Sequence, residues 1–176
     1  MKKTKQIAFG GIICGLSLVI MLLTGIFPFA EYSCPALAGI VLISLVIEYG
    51  KKTAFIAYCA IAILSAIIVP NKEAAILFVF FLGYYPIIKS VFEKCKSRIL
   101  EWILKLLTFN TSVILSYIIM LNVLSMTNLT DDFKGIAIPI LLILGNIVFI
   151  VYDFALNGLA NMYYYKIKPK LKGVTK

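Results

Sequence analysis

Six apolar runs set the terms for this chain: Gln6–Phe29, Pro35–Tyr49, Thr53–Val69, Glu73–Ile88, Leu106–Met126 and Ile136–Tyr163, cut from one another by charges and prolines. Segments this long and this apolar are solved by burial in lipid. There the backbone must satisfy its own hydrogen bonds, so each run is expected to be a helix. The whole composition agrees. Of 176 residues 62% are hydrophobic and 14% charged, and mean hydropathy is +1.01. A soluble domain of this size could not hide that much apolar surface. The expected fold is an all-α integral membrane protein, one domain over residues 1–176, built as a six-helix transmembrane bundle. The first run is read as a span and not as a cleaved signal peptide. Its apolar stretch is long, no A-x-A site follows it, and five more spans do.

Orientation follows from the basic residues. With the N-terminus inside, the inner segments hold Lys2, Lys3, Lys5, Lys51, Lys52, Lys89, Lys94, Lys96, Arg98, Lys105 and the five lysines from Lys166 onward. That is fifteen of the seventeen basic residues, and only Lys72 and Lys134 fall outside. The positive-inside rule then puts both termini in the cytoplasm. The inner segment "KSVFEKCKSRILEWILK" repeats apolar residues at helical spacing. It reads as an amphipathic helix over about 89–105 in the inner interface, anchored by Trp102. A solvated basic loop held by anionic lipid, or a docking surface for a partner, is also open at this stage.

Pro35–Tyr49 is short, about 22 Å as a helix against a hydrocarbon core of about 30 Å. Either the bilayer thins around such a span, or the span stops below the surface and irregular loops dip inward toward a cavity. "PFAEYSCP" (Pro28–Pro35) and "VPNKEA" (Val69–Ala74) both lie on the outer side, and they are expected to roof an outward-facing concavity.

Polar residues inside the spans mark where chemistry could sit. Asn146, Asp153, Asn157 and Asn161 fall within a sector of about 80° on the last helix. They face the bundle interior, as interhelical hydrogen-bonding residues or as part of a ligand site. The ligand reading takes Asn146 and Asp153 at the base of the outer cavity. Glu31 and Tyr32 stand in its roof, Lys72 and Glu73 at its rim, and Tyr58, Tyr117 and Asn122 are further contacts. Tyr84, Tyr85 and Tyr163–Tyr165 are read as an inner aromatic belt.

No enzyme signal is present. The chain has no histidine, the commonest general base and metal ligand, and no Walker A, H-x-x-x-H or nucleophile–base pattern. Cys14, Cys34, Cys59 and Cys95 form no C-x-x-C pair and are read as free thiols or packing residues. No cofactor, metal or nucleic-acid partner is expected.

The first span opens "KQIAFGGIICGLSLV", in which Gly11 and Gly15 make a small-xxx-small face that lets another helix come close. This helix, the loop "PFAEYSCPALAG" and the six-span topology resemble the substrate-binding (S) component of energy-coupling factor transporters. The resemblance implies a bacterial plasma-membrane protein with both termini inside. It binds a vitamin-like small molecule in its outer half, under the first loop. A transmembrane coupling subunit driven by two ATPases docks on the first helix, here at Gly11 and Gly15, where the family carries alanines; Trp102 on the inner segment is a further expected docking residue. Two other readings stay open: a membrane scaffold resembling the rod-shape protein MreD, and a solo ion-coupled transporter with Asp153 as the titrating group.

Overall fold

A computed structural model describes residues 2–27, 30–95, 97–123 and 137–169, and among these every regular element is helical. Helix α1 spans Lys2–Leu22, α2 Ser33–Tyr49, α3 Lys51–Ile68, α4 Lys72–Leu77, α5 Tyr85–Phe92, α6 Arg98–Val123 and α7 Ala137–Met162. α4 and α5 are two parts of one span, joined through a π-helical stretch, Phe78–Leu82. Five stretches are long and apolar enough to cross a membrane: Lys3–Gly25, Lys51–Ile68, Lys72–Phe92, Arg98–Met120 and Leu142–Lys166. The sixth apolar helix, α2, is shorter. Large apolar side chains face outward on these helices, among them Ile56, Ile63, Ile67, Val148, Val151 and Phe154. Architecture and surface are those compatible with a multi-pass membrane protein.

The short helix is the central one. α2 packs against α1 and α3 on one side and against α5, the π-helical stretch and α7 on the other. Its Ala38, Leu42 and Leu45 enter a core with Ile13, Ile61 and Phe78. Its Ile43 enters a second, aromatic core around Phe81, Tyr85 and Phe149. Apolar residues all round therefore serve two partners, which is why α2 shows no polar face. At its C-terminus Gly50 takes φ +84, and α3 begins at the next residue. That left-handed conformation suits glycine.

Proline explains the break in the fourth span. Pro86 has no N–H, so the carbonyl of Leu82, four residues earlier, loses its helical donor. The backbone widens ahead of the break, where Gly83 N donates to Phe78 O at 2.8 Å, the i to i−5 bond of a π-turn. Tyr58 Oη on α3 donates to Val79 O at 2.5 Å. The Leu82 carbonyl turns toward α2 at Gly39, where a methyl group would lie 2.1 Å from the oxygen.

Residues near the two chain ends meet at one end of the bundle. Gln6 Nε2 donates to Thr53 Oγ1 at 2.6 Å, and Lys168 Nζ lies 3.9 Å from Glu48 Oε1. The expected interface helix over 89–105 is not a separate element. Its first residues finish α5, a turn follows, and α6 has begun by Arg98. The apolar side chains Ile99, Ile103 and Leu107 continue the outward face of α6, so the repeat read as an amphipathic surface helix is the foot of a long span. Lys105 therefore stands about two turns inside α6.

A methyl at position 39 must displace backbone, not a flexible side chain. Gly39→Ala is expected to lower thermal stability in detergent by about 1–3 kcal/mol. Gly11→Ala, where the added methyl meets nothing within 4 Å, should instead raise stability by up to about 1 kcal/mol through helix propensity.

Candidate functional site

Asp153 is 1% exposed, in the middle of α7, and its setting accounts for a carboxylate at that depth. Lys89 of α5 donates to Oδ1 in a short ion pair. It also donates to the Asp153 backbone carbonyl at 2.8 Å. Tyr85 Oη donates to the same Oδ1 at 2.5 Å. Lys105 of α6 approaches Oδ2 at 3.0 Å. Lys89 and Lys105 are as buried as the acid they meet. Two further carboxylates pair with the lysines from their less buried side: Glu101 at 2.7 Å from Lys105 and Glu93 at 3.6 Å from Lys89. Lys105 Nζ also lies over the Trp102 ring, 5.2 Å from its centroid, and Trp102 rests beside Phe154 of α7. The cluster ties α5, α6 and α7 together, in the half of the bundle nearer the chain ends.

This is not the cavity floor expected for Asp153. Both carboxylate oxygens are taken by protein donors, and Lys89, Lys105 and Tyr85 are the partners that sequence reasoning assigned elsewhere. The two lysines were placed in an inner loop because basic residues flanking apolar runs usually lie there. Tyr85 was placed in an aromatic belt, whereas it is fully buried. Tyr84 is likewise turned inward, with its hydroxyl 2.5 Å from Ser112 Oγ. The signal available in the sequence was the Glu101/Lys105 pair at i, i+4, running straight into an apolar helix.

Asn146, the other polar residue expected at the cavity base, forms a reciprocal amide pair with Asn110 of α6. Asn110 Nδ2 donates to Asn146 Oδ1 at 3.1 Å and the return bond is 3.2 Å. Asn146 Nδ2 also donates to Leu142 O at 2.7 Å. This is interhelical hydrogen bonding between α6 and α7, of a kind typically worth about 0.6 kcal/mol. Asn157 is half-buried and Asn161 exposed. The side chain of Asn122 lies outside the described residues.

The expected rim does gather at one end of the bundle. Asn71 accepts from Ala74 N as the N-cap of α4, while its Nδ2 donates to Glu31 Oε1 at 2.8 Å, joining the two connecting segments. Pro70 packs close to Gly25 there. Glu73 stands in the first turn of α4, beside its helix dipole. Tyr32 is exposed. Its phenol is held above its ordinary range, by desolvation first and then by the Glu73 and Glu31 carboxylates. Lys72 Nζ folds back onto the end of α3, donating to Ala66 O at 3.0 Å and to Val69 O at 3.1 Å. Glu31, Tyr32, Lys72 and Glu73 thus form one group, Asn146 and Asp153 belong to two others, and Tyr117 faces outward on α6.

A separate groove of about 490 Å³ opens between α3 and α6, over the π-helical stretch, and of the expected contacts Tyr58 lines it. Among the described residues no group of three His, Cys, Asp or Glu side chains is placed to hold a metal ion. Compared with protein-family models, curated proteins and solved structures, the chain matches none.

Removing one member of a buried ion cluster strands the others. Asp153→Asn is expected to cost about 3–5 kcal/mol of stability, read from unfolding in detergent. The triple change Asp153→Leu, Lys89→Met, Lys105→Met removes all three charges together and should recover most of that loss. A single substitution without effect would mean that the cluster does not hold the helices.

Proposed function

We propose that this chain is a membrane-embedded substrate-binding subunit of a bacterial uptake system. It takes a vitamin-like small molecule and works with a separate transmembrane coupling subunit driven by two ATPases, as the S components it resembles do. It has no catalysis of its own. It sits in the plasma membrane with the basic end and both termini facing the cytoplasm.

The observation that carries the reading is the open face of α1. A methyl group built on Gly10, Gly11 or Gly15 would meet no atom within 4 Å. Nothing in the bundle uses these glycines. Glycine in a helix costs about 1 kcal/mol relative to alanine, and close approach of a second helix is the gain that offsets it in a membrane. Ile7, Ile12 and Val19 flank the face and are exposed. The small molecule enters at the opposite end, at the rim of Glu31, Tyr32, Lys72 and Glu73. The Asn71–Glu31 bond there holds the first loop against the third and fourth helices. The solo ion-coupled reading is weaker, because the carboxylate it needs is engaged by two lysines and a tyrosine.

Native mass spectrometry of protein purified gently from its host is expected to show a bound small molecule and co-purifying coupling and ATPase subunits. Gly11→Leu with Gly15→Leu should abolish co-purification and leave ligand binding intact, since a Cβ at either position meets nothing within 4 Å. Unchanged assembly in the double variant would sink the docking assignment. A chain carrying neither ligand nor ATPases, and bound only to other membrane proteins, would favour the scaffold reading.

A further inference from the structure

The groove between α3 and α6 has a hydrogen-bonding character that neither packing nor the proposed uptake role accounts for. Its polar lining consists of hydroxyl groups: Tyr58, Tyr84, Thr108, Thr111 and Ser112, with Phe80 and Leu115 among the apolar residues beside them. No charged side chain lines it.

The protons of these hydroxyls can be followed one by one. Thr108 Oγ1 donates to Leu104 O at 2.7 Å, and Ser112 Oγ donates to Thr108 O at 2.7 Å. Ser112 has then used its proton, so in the 2.5 Å contact with Tyr84 the tyrosine is the donor. Tyr58 Oη donates to Val79 O. Four of the five protons point into the protein, so Tyr58, Tyr84, Thr108 and Ser112 offer a visitor acceptor oxygen, and Thr111 alone has a proton to give. Thr111 is exposed, and its hydroxyl has no protein partner among the described residues. One turn beyond Ser112 on α6, Ser116 Oγ is buried without a partner, which extends the row of hydroxyls.

Depth decides what kind of visitor fits. Thr108 and Ser112 lie about 15 and 21 Å along α6 from Arg98, inside a hydrocarbon layer of about 30 Å. Water does not satisfy acceptors there. A bare ammonium group is excluded by its cost in hydrocarbon and by the lack of a carboxylate in the lining. The volume is within the range of small-molecule sites. We propose that this groove binds an uncharged, membrane-dissolved molecule through a hydroxyl that donates to one of the two tyrosine oxygens, Tyr84 or Tyr58, with its apolar body along Phe80 and Leu115. The groove shares no residue with the rim of Glu31 to Glu73, and it stands or falls independently of the uptake reading.

The test uses the full chain in phosphatidylcholine liposomes with photoactivatable hexadecanol, and the methyl ether of the same probe as its control. The alcohol is expected to label residues 79–84 and 107–115. The ether, which has no proton to donate, should label them about fivefold less, the loss of one hydrogen bond. Thr111→Trp and Leu115→Trp replace exposed residues, so both should fold, and each should remove the labelling by filling the groove. Equal labelling by alcohol and ether, labelling of Ile56, Ile63 and Ile67 at the same level as the groove, or labelling unaffected by both tryptophans would each overturn the proposal.

Discussion

One missing proton donor organises much of this bundle. Because Pro86 cannot bond to Leu82 O, the fourth span cannot run as a single α-helix. Its widened stretch brings Leu82 O against Gly39 and leaves Val79 O to Tyr58. The restart of the helix at Tyr85 sets two neighbouring tyrosines on different tasks. Tyr84 reaches Ser112 on α6 and Tyr85 reaches Asp153 on α7. A backbone defect in lipid is tolerated where surrounding protein encloses it; here Tyr58 of α3 donates to Val79 O, and α2 packs against Leu82 O at Gly39.

The coarse architecture was legible in the sequence because hydrocarbon is a strict solvent. Length and apolarity were enough to find the six helical segments; most described ends moved by a few residues, whereas α6 begins at Arg98, well before the expected Leu106. The interior polar residues were read less well. Asp153 stood out because it is an acid in an apolar run, yet its partners were hidden by a rule that is sound on average. Lysines beside spans usually face the cytoplasm, and Lys89 and Lys105 sit just where that rule expects them. What separates them from Lys94 or Lys166 is the direction in which the side chain leaves its helix. A break such as the one at Pro86 shifts that direction and cannot be read from spacing. The glycines show the opposite case. The sequence marks Gly11 and Gly15 as a small-residue pair, and the structure adds that a methyl at either position meets nothing within 4 Å. Gly39, which the bundle does fill, carried no flag.

Three polar centres with different work emerge from residues that first looked like one stripe and one cavity. The Asp153 cluster holds α5, α6 and α7, and its acid is used for cohesion. The Asn110–Asn146 pair joins α6 to α7. The rim at the other end joins the first loop to the α3–α4 turn through Glu31 and Asn71. The rim shares no residue with the charged interior and can rearrange without disturbing it.

The position of α2 has a consequence for how the molecule comes apart. One face of this helix is part of the core with α1 and α3, and the other is part of the aromatic core with α5 and α7. Neither half can lose its order while the other keeps a complete interior. Two layers that would otherwise melt as separate units are thereby coupled into a single cooperative transition, and the shortest of the six apolar spans sets its cooperativity.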